Sequence, residues 1–168
     1  MDISAILLAA SITSSSYTYW CNVGNGINGI MPLIQGRLGH LDIPVLQKVE
    51  AWEKASAGGH RAYVPSALIS IGLNLAGAYV TPHQLSRTIL LIASALGVAF
   101  VPYSISIHPT MDKLKALMNG NLLVDKADGS EEGKEAFRLM TKWETLQAVR
   151  TTLFGVIWGL TLWAVFLL

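Results

Sequence analysis

Apolar positions along this chain fall into four long runs, at 3–34, 64–80, 88–107 and 147–168. The last run has polar first turns that reach back to Trp143. A membrane helix needs roughly 17–25 residues, and each run meets or exceeds that length. Backbone groups in a bilayer must satisfy one another, which helices do and isolated strands do not. The predicted fold is therefore all-α: an integral membrane four-helix bundle forming a single domain over 1–168. Residues 81–87 make a short turn, so the second and third helices are expected to be antiparallel neighbours. The polar segments 35–63 and 108–142 then lie on one side. In the first of them, Asp42-Ile43-Pro44 reads as a helix start, with proline near the first helical position. Val45, Leu46, Val49 and Trp52 follow at helical spacing. This predicts an additional amphipathic helix in the first long loop, lying on the bundle or in the interface. Residues 119–135 read as a solvated loop, and 131–142 as a return to helix leading into the fourth span.

Composition strengthens the membrane reading. Apolar residues make up 52% of the 168 and charged residues 14%, where a soluble domain carries about 25% charge. The charges are segregated: Asp2 is the only one before Gln35, and none follows Arg150. Arg37, Lys48, Lys54 and Arg61 lie in one long polar segment, and six more cations between Lys113 and Lys142 in the other. The positive-inside rule places both segments in the cytosol and both termini outside or in a lumen. The expected location is the endoplasmic reticulum or another intracellular membrane. A net charge of +1 offers no electrostatic case for nucleic acid. A single cysteine, Cys21, excludes an internal disulfide and a cysteine-cluster metal site.

Candidate chemistry concentrates at the membrane boundary, where ionisable groups are costly and point to function or to a partner. Pro102 to Asp112 gathers a phenol, two hydroxyls, an imidazole and a carboxylate: Tyr103, Ser104, Ser106, His108 and Asp112. Pro109 disfavours helical geometry at His108, so the third helix is expected to end or kink there. Ser104 and His108 share a face. Trp143, Gln147, Arg150 and Phe154 follow the spacing of one helical stripe. Two readings of Arg150 stand: it snorkels to the interface, or it looks into the bundle with Gln147 and Trp143. Gly24-Asn25-Gly26-Ile27-Asn28-Gly29 has the letters of a dinucleotide fingerprint but not its strand–helix context. It reads instead as close helix packing through small residues or as a loosened helix beside a cavity. Asn25 and Asn28 share a face there, suited either to interhelical hydrogen bonds or to lining a pocket. No His pair shows metal-ligand spacing, so no metal site is predicted, and a metal gathered from distant histidines stays open. An enzyme acting on an apolar substrate, a structural membrane subunit and a small transporter all fit these residues. The transporter is weakened because no inverted repeat is visible.

Pro102-Tyr103-Ser104 followed by His108-Pro109-Thr110-Met111-Asp112-Lys113-Leu114 resembles the P-Y-T … P-T-N-x-x-L signature of the DUF1772 membrane proteins. Trp143 followed by Arg150 resembles that family's W … N-x-x-R element, and Pro32 fits the proline ending its first helix. Asp112 and Gln147 depart from it, standing where many members carry Asn. Length and the His108-Pro109 context resemble the fungal anthrone oxygenases. The resemblance implies O2-dependent oxidation of a polyketide anthrone to an anthraquinone, through a base-generated carbanion and a hydroperoxide. O2 is then the co-substrate, and no organic cofactor is needed. On that basis His108 is the expected base, with Asp112 orienting it or acting in its place. Arg150 is the expected oxyanion stabiliser. Tyr103, Gln147, Asn25 and Asn28 are expected to bind phenolic hydroxyls, and Trp20 and Trp143 to stack on the flat tricycle. The alternatives are a metal-dependent oxygenase with the same reaction, and a non-catalytic scaffold subunit. The expected partners are an apolar aromatic small molecule, O2 and the lipid bilayer.

Overall fold

A computed structural model describes residues 3–27, 29–37, 39 and 42–167. The described residues are helical apart from turns and loops, in the order α1 (Ile3–Ile27), α2 (Ile30–Ile34), α3 (Val45–Val80), α4 (Gln84–Asn119) and α5 (Glu131–Phe166). α1 packs on α3 and α5, and α4 packs on the same two helices from the opposite side.

The helix ends follow from local chemistry. Pro82 forces the preceding Thr81 into extended backbone and stops α3. Two residues later, the His83 ring accepts from the Ser86 amide and caps α4. With only Thr81, Pro82 and His83 between them, α3 and α4 are antiparallel neighbours, as the spacing predicts. At α5 the Ser130 hydroxyl accepts from the Gly133 amide at 3.0 Å. Glu131 and Glu132 then place negative charge against the positive end of the helix dipole.

Three helices, α3, α4 and α5, are long and apolar enough to cross a membrane. α1 is 25 residues long, but the hydroxyls of Ser11, Thr13, Ser14, Ser15 and Thr18 dilute its hydropathy. Several of these return to their own helix: Thr13 donates to the Ala9 carbonyl, Ser15 to Ser11 and Thr18 to Ser14. Such bonds lower the cost of a hydroxyl at membrane depth.

Three sequence expectations are corrected. No separate amphipathic helix occupies the first long loop: Val45, Val49 and Trp52 begin α3, which runs without a break to Val80. Of the end or kink expected at His108, the end does not occur: α4 passes through both Pro102 and Pro109 to Asn119. A proline removes one backbone bond, and packing against neighbouring helices keeps the rest in register. The first apolar run is not one helix, because α1 stops at Ile27 and the short α2 follows. A Cβ at Gly24 or Gly26 would meet nothing within 4 Å, so these glycines mark a loosened helix end and not close packing.

Helix length explains the shape. A helix of 36 residues at 1.5 Å per residue is about 54 Å long, well beyond the roughly 30 Å of a hydrocarbon core. The long helices overshoot on the side of the 35–44 and 120–130 connections. There Val45, Val49, Trp52, Leu114, Leu123 and Met140 form a core of the kind found in soluble domains. Buried Lys48 pairs with Asp128 at 2.7 Å beneath the Phe137 ring, which ties the 120–130 loop to α3. α1, eleven residues shorter than its neighbours, stops before this overhang. α2 only partly fills the space that it leaves.

Candidate functional site

A cavity of about 360 Å³ opens at that level, inside the usual range for small-molecule sites, roughly 300–1,000 Å³. Its walls are the last turns of α1 (Asn22, Asn25, Gly26), Ile30 and Met31 of α2, α3 from Ala55 to Tyr63, Met111 of α4, and α5 from Trp143 to Thr152. It lies between the core of the overhang, which includes Trp143, and a second core around Tyr63, Phe100 and Phe154.

Arg150 dominates the site. It is 7% exposed, and its guanidinium lies 3.8 Å from the centroid of the Tyr63 ring. Its Nη2 donates to Asn22 Oδ1 at 2.8 Å. Among the described residues it has no ion-pair partner. A cation–π contact and one neutral acceptor offset little of the cost of burying a charge. The site therefore carries an uncompensated positive field, suited to an anion or to negative charge that develops during a reaction.

One turn before Tyr63, His60 also lines the cavity. Its Nδ1 is 3.0 Å from the Tyr63 hydroxyl. Imidazole, phenol and guanidinium thus form one connected line, from the exposed His60 to the buried Arg150. Three buried polar atoms on the α5 wall have no partner among the described residues: Trp143 Nε1, Gln147 Oε1 and Arg150 Nε. Buried polar groups are seldom left unpaired. Two donors and an acceptor along a single helical face are thus left available beside the cavity.

The sequence-predicted residues divide into two groups. Trp143, Gln147, Arg150 and Asn25 line the cavity. Asn28 lies outside the described residues. His108 and Asp112 are exposed on α4 and are not part of the lining, because the helix continues through Pro109 and keeps both on its outer surface. His108 is still close enough to His60 for the two imidazoles to interact electrostatically. Tyr103 is half-buried, and its hydroxyl donates to the Leu146 carbonyl at 2.8 Å, which makes it a brace between α4 and α5. Trp20 is 54% exposed and packs edge-on against Tyr19 and Trp158, away from the cavity.

Sequence reasoning missed Asn22, His60 and Tyr63. Asn22 precedes Asn25 by one turn, so an extended face would have included it. His60-x-x-Tyr63 is also a one-turn pair, hidden because 35–63 reads as a loop outside the bundle. Among the described residues no group of three or more His, Cys, Asp or Glu gathers as a metal site.

Helices of membrane length around a cavity with a buried, uncompensated guanidinium define a class: a helical membrane-type protein with a charged internal cavity. The particular family follows from comparison. The family model described as anthrone oxygenase matches residues 52–159, and the chain belongs to that family. The matched segment carries His60, Tyr63, Trp143, Gln147 and Arg150 but not Asn22 or Asn25. No curated protein and no solved structure matches the chain.

Proposed function

We propose that this protein oxidises a polyketide anthrone to an anthraquinone with O2, inside the α1–α3–α5 cavity. The observation that carries the reading is the uncompensated Arg150 guanidinium in a small-molecule cavity that also holds His60. A scaffold subunit would have no need to bury that charge beside an open cavity. All four long helices cross the bilayer in this reading, with α1 relying on its internal hydroxyl bonds. The overhang with both long connections faces the cytosol from the endoplasmic reticulum or a similar intracellular membrane.

The residues suit the chemistry. An anthrone methylene is acidic, since losing a proton leaves an aromatised, phenolate-like anion. His60, held by the Tyr63 hydroxyl, takes that proton; a positioned base contributes roughly 10²–10⁴ in rate. Arg150 stabilises the negative charge that collects on the ketone oxygen, a contribution of about 3 kcal/mol for one preorganised donor. The carbanion passes electrons to O2 and a C–O bond forms, giving a hydroperoxide. Loss of the second methylene proton with cleavage of the O–O bond then yields the quinone and one water. The carbon loses four electrons and O2 gains four, so no outside reductant and no organic cofactor is required. Gln147 and Trp143 hold the phenolic and carbonyl groups. The base role that the family resemblance implies for His108 passes to His60, since of these two only His60 lines the cavity.

Membranes carrying the protein, incubated with emodin anthrone under air and under nitrogen, test this reading. Quinone formation above the spontaneous background in air, and its loss under nitrogen, is the expected result. Equal rates with and without the protein would overturn it.

A further inference from the structure

We propose that the substrate reaches this cavity sideways from the bilayer, through a portal between the end of α1 and the start of the apolar half of α5. The inference rests on the cavity being the substrate site. The two helices are tightly packed deeper in the membrane. A Cβ on Gly155 would come within 3.0 Å of the Tyr19 ring, and that ring stacks on Trp158 with centroids 5.3 Å apart. One turn along, they are joined by the Asn22–Arg150 hydrogen bond. One further turn along the same α1 face lies Gly26, where a Cβ would meet nothing within 4 Å. Open space, part of the cavity, lies beside α1 there. Gly26 on α1, with Ala148 and Thr152 on α5, is both exposed and part of the cavity lining, which is the signature of a mouth.

Towards the membrane the mouth borders aliphatic surface, and on its other side lie the exposed Asn25 and the Arg37–Glu144 ion pair. On α5 the mouth is flanked by Val149, 53% exposed, and Val156, 47% exposed. Deeper along α1, beyond the cavity, lies the exposed Trp20. On the α3 side the helices stay close at one point, where a Cβ on Gly59 would touch Asn25 Nδ2 at 3.3 Å; Ala55 and His60, also exposed and lining, give the cavity a second, more polar opening there. Ala148 and Thr152 bracket the point where charge ends in α5, at the boundary between headgroups and acyl chains. A flat polycyclic molecule with an apolar body and polar edges concentrates at that boundary. Gly26 and Ala148 are thus specificity determinants: their small size admits a thin, wide ring system.

Two measurements separate this inference from the function on which it rests. A nitroxide at Ala148→Cys, in a Cys21→Ser background and reconstituted in nanodiscs, is compared for relaxation by O2 and by a water-soluble nickel chelate. A lipid-facing portal predicts greater accessibility to O2, with the label immobilised when emodin is added. Greater accessibility to the nickel chelate would place the mouth in water and overturn the proposal, whether or not the protein turns over an anthrone. In kinetics with emodin anthrone, Ala148→Trp and Gly26→Trp are each expected to lower kcat/KM about tenfold with little change in kcat. Val156→Trp, on the exposed face but outside the lining, is expected to match the unmodified protein. Unchanged kcat/KM in both portal variants would also sink the idea.

Discussion

Two polar regions lie buried in this protein, and they are built differently. Around Asn74, the side-chain Oδ1 accepts from Ser11 at 2.6 Å and from Thr161 at 3.2 Å. That joins α1, α3 and α5 at a point where Asn74 has no exposed surface. The groups are neutral, the packing is closed, and the small void nearby, about 10 Å³ beside Ser70, has room for about one water. Around Arg150 the group is charged, its partners are weaker than its charge, and about 360 Å³ is open beside it. Polar residues at membrane depth are thus not one signal. The first region is interhelical glue; the second leaves a charge and open space side by side.

Substitutions can break that contrast, beginning with the cavity. His60→Ala should reduce kcat by roughly 10²–10⁴, whereas His108→Ala should leave it within about twofold, read as quinone formation in reconstituted membranes. The reverse pattern would return the base role to His108. The pH–rate profile adds to this. A base works deprotonated, so activity should fall as pH drops through its pKa, and that limb should vanish in His60→Ala. Next in size, Arg150→Met should cost about 10²-fold in kcat, the rate equivalent of about 3 kcal/mol, with α-helical circular dichroism retained. Unchanged kcat would remove the oxyanion role.

Tyr63→Phe sharpens the comparison within the cavity. It keeps the ring under Arg150 and removes only the hydroxyl beside His60, so the expected loss is about tenfold, less than for His60 or Arg150. At the other region, Asn74→Leu should leave kcat of the folded protein unchanged. It should lower unfolding stability in detergent by about 1 kcal/mol, since interhelical hydrogen bonds in membranes average about 0.6 kcal/mol each. Loss of activity without loss of stability would mean that Asn74 does more than join helices.

Much of this was legible in the chain. The Trp143, Gln147 and Arg150 stripe needs only a continuous helix to bring its members to one wall, and nothing between Glu131 and Phe166 interrupts α5. The short 81–87 turn required α3 and α4 to be antiparallel. The residues around the prolines were less legible. Pro109 suggested a helix end or kink because a proline disfavours helical geometry at the residue before it, and it also cannot donate its own backbone bond. The cost of one missing bond was outweighed by the packing of Ile107, Thr110 and Leu114 on either side of it, all buried. His108 therefore stayed on an outer face, and its apparent cluster with Tyr103 and Asp112 did not assemble.

By itself, the order of residues determined that the chain is helical, that at least three helices suit a bilayer, and which α5 side chains share a stripe. These are properties of local periodicity and of backbone hydrogen bonding, and they need no partner to hold. Only tertiary structure decided that His60 and Tyr63 would stand beside Arg150, and that a cavity would open there at all. Both depend on α1 ending at Ile27 while α3 and α5 run on. The void comes from a difference in length between packed helices, and no single segment carries it.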